Sequence, residues 1–429
     1  MKYLPIDNHL FYTNRKALAA KIQKGALAIF NANDTMPTNA DGSMPFRQNS
    51  DLFWLSGVDQ QESVLLIFPN HPDESMREVL FLKETSKEIA IWEGSKLTKE
   101  EAFNTSGIKT VFWLSELEGK LDELIKKADA IYLNKNMHAR SKSEVQTRDD
   151  RFRLMIAQKF TAKEIKEVAP IMHELRYIKS DIEIALMQNA CDITEKGLRR
   201  ILPFIKPGVM EYEIEAELMH EFLRNRSKGF AYEPIIGSGI DSCVLHYINN
   251  NKVCKDGDIL LMDFGAEYAN YASDLTRTIP VNGRFSKRQK AVYNAVLHVM
   301  KEATKMLVPG TLFKDYNKEV GEIMEAELIK LGLLDKHDVQ KQDAENLLYK
   351  KYFMHGTSHS LGLDVHDVGS FETPMQAGMV FTCEPGIYIL EEELGIRLEN
   401  DILVTANSPD DLMKNIPIEA DEIEELMNA

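Results

Sequence analysis

Acidic residues end apolar, strand-like runs at four places in the chain. Leu260-Leu-Met-Asp263-Phe-Gly265 closes one run with Asp263, and Tyr271-Ala-Ser-Asp274-Leu-Thr-Arg277 carries Asp274 on the next. Phe381-Thr-Cys-Glu384-Pro-Gly386 ends a third with Glu384, while Ile396-Arg397-Leu-Glu399 sets Arg397 and Glu399 on one face of a strand. A hairpin between the first two runs brings Asp263 and Asp274 together. Buried like charges so close stay ionised only when a cation compensates them. Taken by themselves, two Asp at strand ends are more simply read as turn formers.

Histidines strengthen the chemical reading. His355, His359 and His366 fall within one short segment, Met354-His-Gly-Thr-Ser-His-Ser-Leu-Gly-Leu-Asp-Val-His-Asp367, and His246 lies in Leu245-His-Tyr247. His220, in the middle of a helical stretch, reads as structural. Four carboxylates and one imidazole form a hard, oxygen-rich donor set suited to two divalent ions bridged by carboxylates. Manganese is the expected metal, with cobalt or zinc as alternatives. Paired ions share a water, lower its pKa towards neutrality and stabilise the oxyanion of a tetrahedral intermediate, which is the chemistry of amide hydrolysis.

The elements that position these residues follow from length and pattern. At 429 residues the chain is long for one core and suits two or three domains. Its 44% hydrophobic and 28% charged residues belong to a folded protein. The 51 Lys and Arg against 67 Asp and Glu leave a charge of -16, which repels a nucleic-acid backbone. No apolar run approaches the ~20 residues needed to span a bilayer, so no membrane partner is expected. Asp7, Asn8 and His9 stand where a signal peptide needs an apolar core, and four dispersed cysteines read as reduced thiols, so a cytoplasmic location is expected.

Along the first part, Ser63–Phe68, Glu78–Lys83, Glu88–Trp92, Lys109–Trp113 and Ala130–Leu133 read as strands, with a helix near Glu116–Lys127, an α/β pattern. A polar break covers His138–Arg151, and an amphipathic Lys/Glu-rich stretch covers Thr161–Arg176. The boundary is placed there, giving domains of 1–175 and 176–429. Beyond it, Ser180 and Glu183 form a capping box that starts a helix ending at Pro207-Gly208, followed by a helix near Glu211–Arg226. Strands at Ile259–Phe264 and Tyr271–Thr278 come next. Then Ser286 and Gln289 cap a helix running to Pro309-Gly310, and another helix covers Lys314–Lys330. The repeated order predicts an internal αβ duplication with a shared cleft, although Pro-Gly is also a common helix terminator.

Taken together, these motifs resemble the pita-bread metallopeptidases, the family of aminopeptidase P, prolidase, creatinase and methionine aminopeptidase. Phe46-Arg-Gln-Asn-Ser-Asp51-Leu-Phe-Trp-Leu-Ser-Gly57 resembles a segment of Xaa-Pro aminopeptidases. The C-terminal motifs are Met262-Asp-Phe-Gly265, Ser273-Asp-Leu-Thr-Arg277, His355-Gly-Thr-Ser-His359, Leu363-Asp-Val-His-Asp367, Glu384-Pro-Gly386 and Arg397-Leu-Glu399. The resemblance implies an α/β N-terminal domain followed by an α+β pita-bread catalytic domain with pseudo-twofold duplication. It implies that Asp263 holds one metal, Asp274 and Glu399 bridge both, and His359 with Glu384 complete the other. It assigns His246 and His366 to the scissile bond, His355 and Arg397 to proton relay or support, and Glu384 to the general base.

The implied reaction removes an N-terminal residue from a peptide whose second residue is proline, through a hydroxide activated by the two metals. A prolyl amide has no N–H to anchor, and its nitrogen must be protonated to leave. One departure from the family is Ser360, after the metal histidine, where relatives often carry a bulky residue; it alters the pocket. Trp54, Trp92 and Trp113 all fall in the N-terminal domain, so the catalytic cleft holds none unless a neighbour lends one. The resemblance also implies a homo-oligomer, dimer or tetramer. The rival readings are a prolidase restricted to dipeptides, a creatinase-like amidinohydrolase, and a pita-bread binding protein without activity.

Overall fold

Runs rich in β-branched and aromatic residues give six strands in the first part of the chain. They are β1 (Ala26–Asn31), β2 (Val64–Ile67), β3 (Glu78–Leu82), β4 (Thr110–Trp113), β5 (Ala130–Leu133) and β6 (Glu164–Glu167). The computed structural model describes residues 2–343 and 346–429. The chain falls into two compact units, Tyr3–Arg176 and Tyr177–Ala429.

In the first unit the strands form one sheet, ordered β4-β3-β2-β1-β5-β6. β1–β2 and β2–β3 are antiparallel, whereas β1–β5, β5–β6 and β3–β4 are parallel. Leu27, Ile29, Val64, Leu66, Val79, Phe81, Ile131 and Leu133 line one face, each 2% exposed or less, against Leu121, Leu124 and Ile125 of the Leu117–Lys127 helix. Each such side chain contributes roughly 1.5–3 kcal/mol on burial, so slipping any strand by one residue is prohibitive.

Three segments of the first unit and its edge differ from the sequence reading. Glu88–Trp92 is not a strand but part of a helix, Lys87–Glu93, capped by Ser86, whose hydroxyl accepts the Ile89 N–H at 3.2 Å. The preceding strand β3 pairs with β2 and β4, this run joins no ladder, and Ile91 and Trp92 stay 79% and 90% exposed. The polar break ends early, because Thr147 and Asp150 form a capping box that starts the Arg148–Lys159 helix. The stretch Thr161–Arg176 divides into β6 and the Ala169–Tyr177 helix, with Pro170 in the first turn where its missing N–H costs nothing.

The second unit opens with the Asp181–Ile201 helix, and the Lys287–Lys305 helix begins in the same way. Both start in reciprocal capping boxes, Ser180 with Glu183 and Ser286 with Gln289, each worth about 1 kcal/mol. Each is followed by a second helix, Glu211–Arg224 or Phe313–Lys330, and then by strands. After the first pair come β7 (Ile235–Ser238), β8 (Ile259–Phe264), β9 (Glu267–Tyr268), β10 (Tyr271–Ala272) and β11 (Leu275–Pro280). After the second come β12 (Val380–Cys383), β13 (Gly386–Ile389), β14 (Leu394–Arg397), β15 (Asn400–Leu403) and β16 (Asp410–Asp411). They form antiparallel sheets β11-β8-β7 and β12-β15-β16 with hairpins β9-β10 and β13-β14. The order helix, helix, strands therefore occurs twice, with the short Lys336–Lys341 helix inserted before the strands the second time.

Tyr271–Thr278, expected as one strand, is two, with Ser273 and Asp274 at the break. Gly265 explains it: a Cβ there would lie 1.8 Å from the Ser273 carbonyl oxygen, so the chain turns where only a glycine admits it. The Thr194 hydroxyl, from the Asp181–Ile201 helix, pins the break through Ser273 Oγ at 2.8 Å and the Ala266 N–H at 2.8 Å. All four cysteines are free, and no helix among the described residues is long and apolar enough to cross a membrane.

Candidate active site

Strand register gathers the acids. β11 sets Thr276 opposite Asp263 on β8, and an isolated bridge then pairs Thr276 with Glu399. Cys383 of β12 faces Asn400 of β15, so Glu384 and Glu399 leave that ladder at the same end. A bridge between Ser360 and Phe381 brings His359 alongside.

Asp274, His359 and Glu399 are all buried, and one ligand-type atom from each lies within 4.8 Å of the others. His359 Nε2 is 3.4 Å from Asp274 Oδ2 and 3.5 Å from Glu384 Oε1. His359 Nδ1 sits 3.1 Å from the Ser360 carbonyl; with the proton donated there, the Nε2 lone pair faces the carboxylates. Asp263 joins through Tyr232, whose hydroxyl is 2.6 Å from Asp263 Oδ1 and also reaches Asp274 Oδ1. The Thr276 hydroxyl donates to Glu399 Oε2 at 2.6 Å, and the Thr382 hydroxyl lies 3.5 Å from Glu384 Oε1.

The electrostatics of this cluster are unbalanced. Burial, then the neighbouring Asp263, hold the Asp274 carboxyl well above its ordinary pKa. Burial and Asp274 do the same to Glu399, and burial pushes Glu384 up to about 7. Arg397 is the guanidinium in contact, ion-paired with Asp263. Burial alone lowers its pKa, yet Tyr388, Asp263 and Glu399 outweigh that and hold it raised. One guanidinium against four carboxylates, two of them buried, leaves a site whose oxygen donors fit divalent cations.

Arg397 Nη1 donates to the Tyr388 hydroxyl at 2.9 Å, and that hydroxyl is 2.8 Å from His355 Nε2. His355 Nδ1 faces the Gly356 carbonyl at 2.8 Å and Glu384 Oε2 at 3.8 Å. Burial, aided by Arg397, lowers the His355 pKa to about 4, so this imidazole is neutral. The exposed His366 ring lies edge-on to His359, with centroids 4.3 Å apart. His246 is exposed on the loop between β7 and β8. His220 is exposed on the Glu211–Arg224 helix.

Sequence reasoning passed over Tyr232, Thr276 and Tyr388. Their contacts come from distant segments, and no spacing marks them; only Thr276, inside Ser273–Arg277, stood in a quoted motif. At Ser360 the space is occupied by Tyr177, whose ring meets Phe381 at a centroid distance of 6.0 Å and whose hydroxyl bonds Ser360.

The sequence model of metallopeptidase family M24 matches residues 185–406, and that of the aminopeptidase P N-terminal domain matches residues 11–132. The chain belongs to metallopeptidase family M24. Among its M24 relatives, the Xaa-Pro aminopeptidase of Escherichia coli K12 is 35% identical over 437 residues, covering 99% of this chain and 98% of the relative. That of Haemophilus influenzae is 35% identical over 430 residues, covering 97% of each. Aminopeptidase PepP of Pseudomonas aeruginosa superposes with a TM-score of 0.90 at 31% identity, covering 99% of this chain and 98% of that one. Aminopeptidase P of E. coli in its low-pH form superposes at 0.89 and 33% identity, covering 99% of each. The M24 assignment makes this a metal-dependent hydrolase with an N-terminal aminopeptidase P domain and a pita-bread domain, the fold class expected from the motifs.

Proposed function

We infer that this protein hydrolyses the bond between an N-terminal residue and a following proline, with Asp263, Asp274, His359, Glu384 and Glu399 holding two divalent cations. The observation that carries this reading is a set of four acids around one imidazole, two of them buried and only partly offset by a single guanidinium, in a chain similar over its whole length to Xaa-Pro aminopeptidases. Asp274, His359 and Glu399, whose ligand atoms cluster, would hold the ions together with Asp263 and Glu384. When bound, the ions supply Lewis acidity and a water of lowered pKa.

The side chains divide the remaining work. Glu384 accepts a proton and returns it to the prolyl nitrogen, which leaves only when protonated. His246 and His366 flank the scissile bond and hydrogen-bond the substrate carbonyl. His355 stays neutral and takes its orientation from Tyr388, which Arg397 holds in turn. Manganese is the proposed physiological ion, since oxygen donors outnumber the one imidazole; a zinc-substituted form of the E. coli relative also exists. The free thiols support a cytoplasmic site. The exposed pair Ile91 and Trp92 supports a homo-oligomer.

The test is turnover of Xaa-Pro dipeptides beside tripeptides and longer peptides, with metal analysis of protein purified without added ions. Cleavage of the longer peptides is expected. Turnover confined to dipeptides identifies a prolidase, and absence of both metal and turnover identifies a binding protein.

A further inference from the structure

His246 is exposed, so its place is set by its backbone and not by packing of the imidazole. The segment between β7 and β8 that carries it has little regular structure beyond the short 3-10 turn Gly239–Cys243. Asn250 ties the loop back to Pro234 and Ile236, and a buried carboxylate holds it at further points. Glu211, the first residue of the Glu211–Arg224 helix, is 0% exposed. Its Oε1 accepts the Ser238 N–H at 2.9 Å and the Ser238 hydroxyl at 2.7 Å. Its Oε2 accepts the Tyr247 hydroxyl at 2.8 Å and the Lys252 N–H at 2.9 Å, and its own N–H donates to the Lys252 carbonyl at 3.0 Å. Ser238 is the last residue of β7, Lys252 lies beyond His246 on the way to β8, and Tyr247 is the neighbour of His246.

We propose that Glu211 is a positioning residue for the reaction, tying the loop at three points so that His246 is presented to the substrate. The inference rests on the role given to His246 under the proposed function. A carboxylate suits the task because it only accepts, and here four donors converge on its two oxygens, so each arm of the loop has a fixed partner. Glu211 makes no ion pair with Lys252, whose ammonium goes to Asp241. The Tyr247 ring packs with Ile235, Leu261 and Tyr388, and Tyr388 in turn bonds His355 and Arg397. The anchor therefore joins the loop to the wall that orients the other site histidine.

A mutant cycle separates this role from mere support of the fold. Glu211→Gln keeps the shape but turns an NH2 group towards two of the four donors. In metal-loaded enzyme it is expected to lower kcat/KM on the order of tenfold. Bound metal stays unchanged, and amide exchange rises within residues 239–252. In a His246→Ala background the same change is expected to cost less than about twofold, because the group it positions is gone. Tyr247→Phe, which cuts only the central tie, repeats the pattern more weakly and decides the question if Glu211→Gln does not fold. Equal losses in both backgrounds overturn the proposal, as does unchanged turnover in Glu211→Gln. If His246→Ala alone leaves turnover intact, the role given to His246 fails, and this inference with it.

Discussion

At the scale of single residues, the site stores unfavourable electrostatics that a cation relieves. Asp274 and Glu399 are 4% and 1% exposed, and each faces other carboxylates. Asp274→Ala is expected to abolish both bound metal and peptide turnover, read by elemental analysis and a peptide assay. Asp274→Asn offers a sharper contrast. It keeps an acceptor for Tyr232 and removes one of the crowded charges, so the metal-free variant unfolds about 1 kcal/mol later than metal-free wild type. In the presence of metal the order reverses. A metal-free variant less stable than wild type overturns this account of the cluster.

Between elements, close approach and capping decide where side chains go. Gly265 lets the chain break between β10 and β11, and Asp274 stands at that break. Gly265→Ala is expected to destabilise the fold by roughly 1–3 kcal/mol or more and to weaken metal binding, measured by denaturant titration and metal competition. The capped helix Arg148–Lys159 carries a different strain. Burial pushes the Asp149 carboxyl up to about 6, although Asn31 donates to it at 2.8 Å. Because the folded pKa lies above the unfolded one, its contribution is fully present below about pH 4 and is lost as pH rises through about 6. Asp149→Asn should therefore gain about 1–2 kcal/mol over wild type at pH 8 and nothing at pH 4. A gain independent of pH rules the explanation out. The misread segment Glu88–Trp92 belongs to this scale as well. Its apolar residues suit a strand, but Ser86 offers a cap, and the preceding strand β3 is already paired on both sides, with β2 and β4.

For the whole molecule, the two compact units carry separate burdens. The first has its own apolar sheet core, whereas the second holds every candidate ligand. A ligand bound only by the folded state stabilises by mass action, about 3–4 kcal/mol at 100 to 1,000 times its Kd. Calorimetry is thus expected to show a transition that falls by several degrees on chelation and another that does not move. A common shift of the entire unfolding profile shows instead that the units unfold as one. The net charge of -16 is consistent with an acidic surface, and it gives no guide to the site, whose acids are buried or half-buried.

Much of the site was legible before any coordinates. Both capping boxes at Ser180 and Ser286, the strand Ile259–Phe264 and the acids at strand ends follow from local patterns, because caps and strand termini are written over a few neighbouring residues. The histidines of Met354–Asp367 signalled themselves by density. Tertiary structure alone decided which strands meet. Thr276 and Glu399 are 123 residues apart in sequence, and their pairing rests on the register of two sheets. The same holds for Tyr232, which joins Asp263 to Asp274, and for Tyr388, which links Arg397 to His355. A lone tyrosine has no spacing to betray it. Its role arises only when packing removes water and leaves its hydroxyl as the nearest proton between two acids, or between a guanidinium and an imidazole.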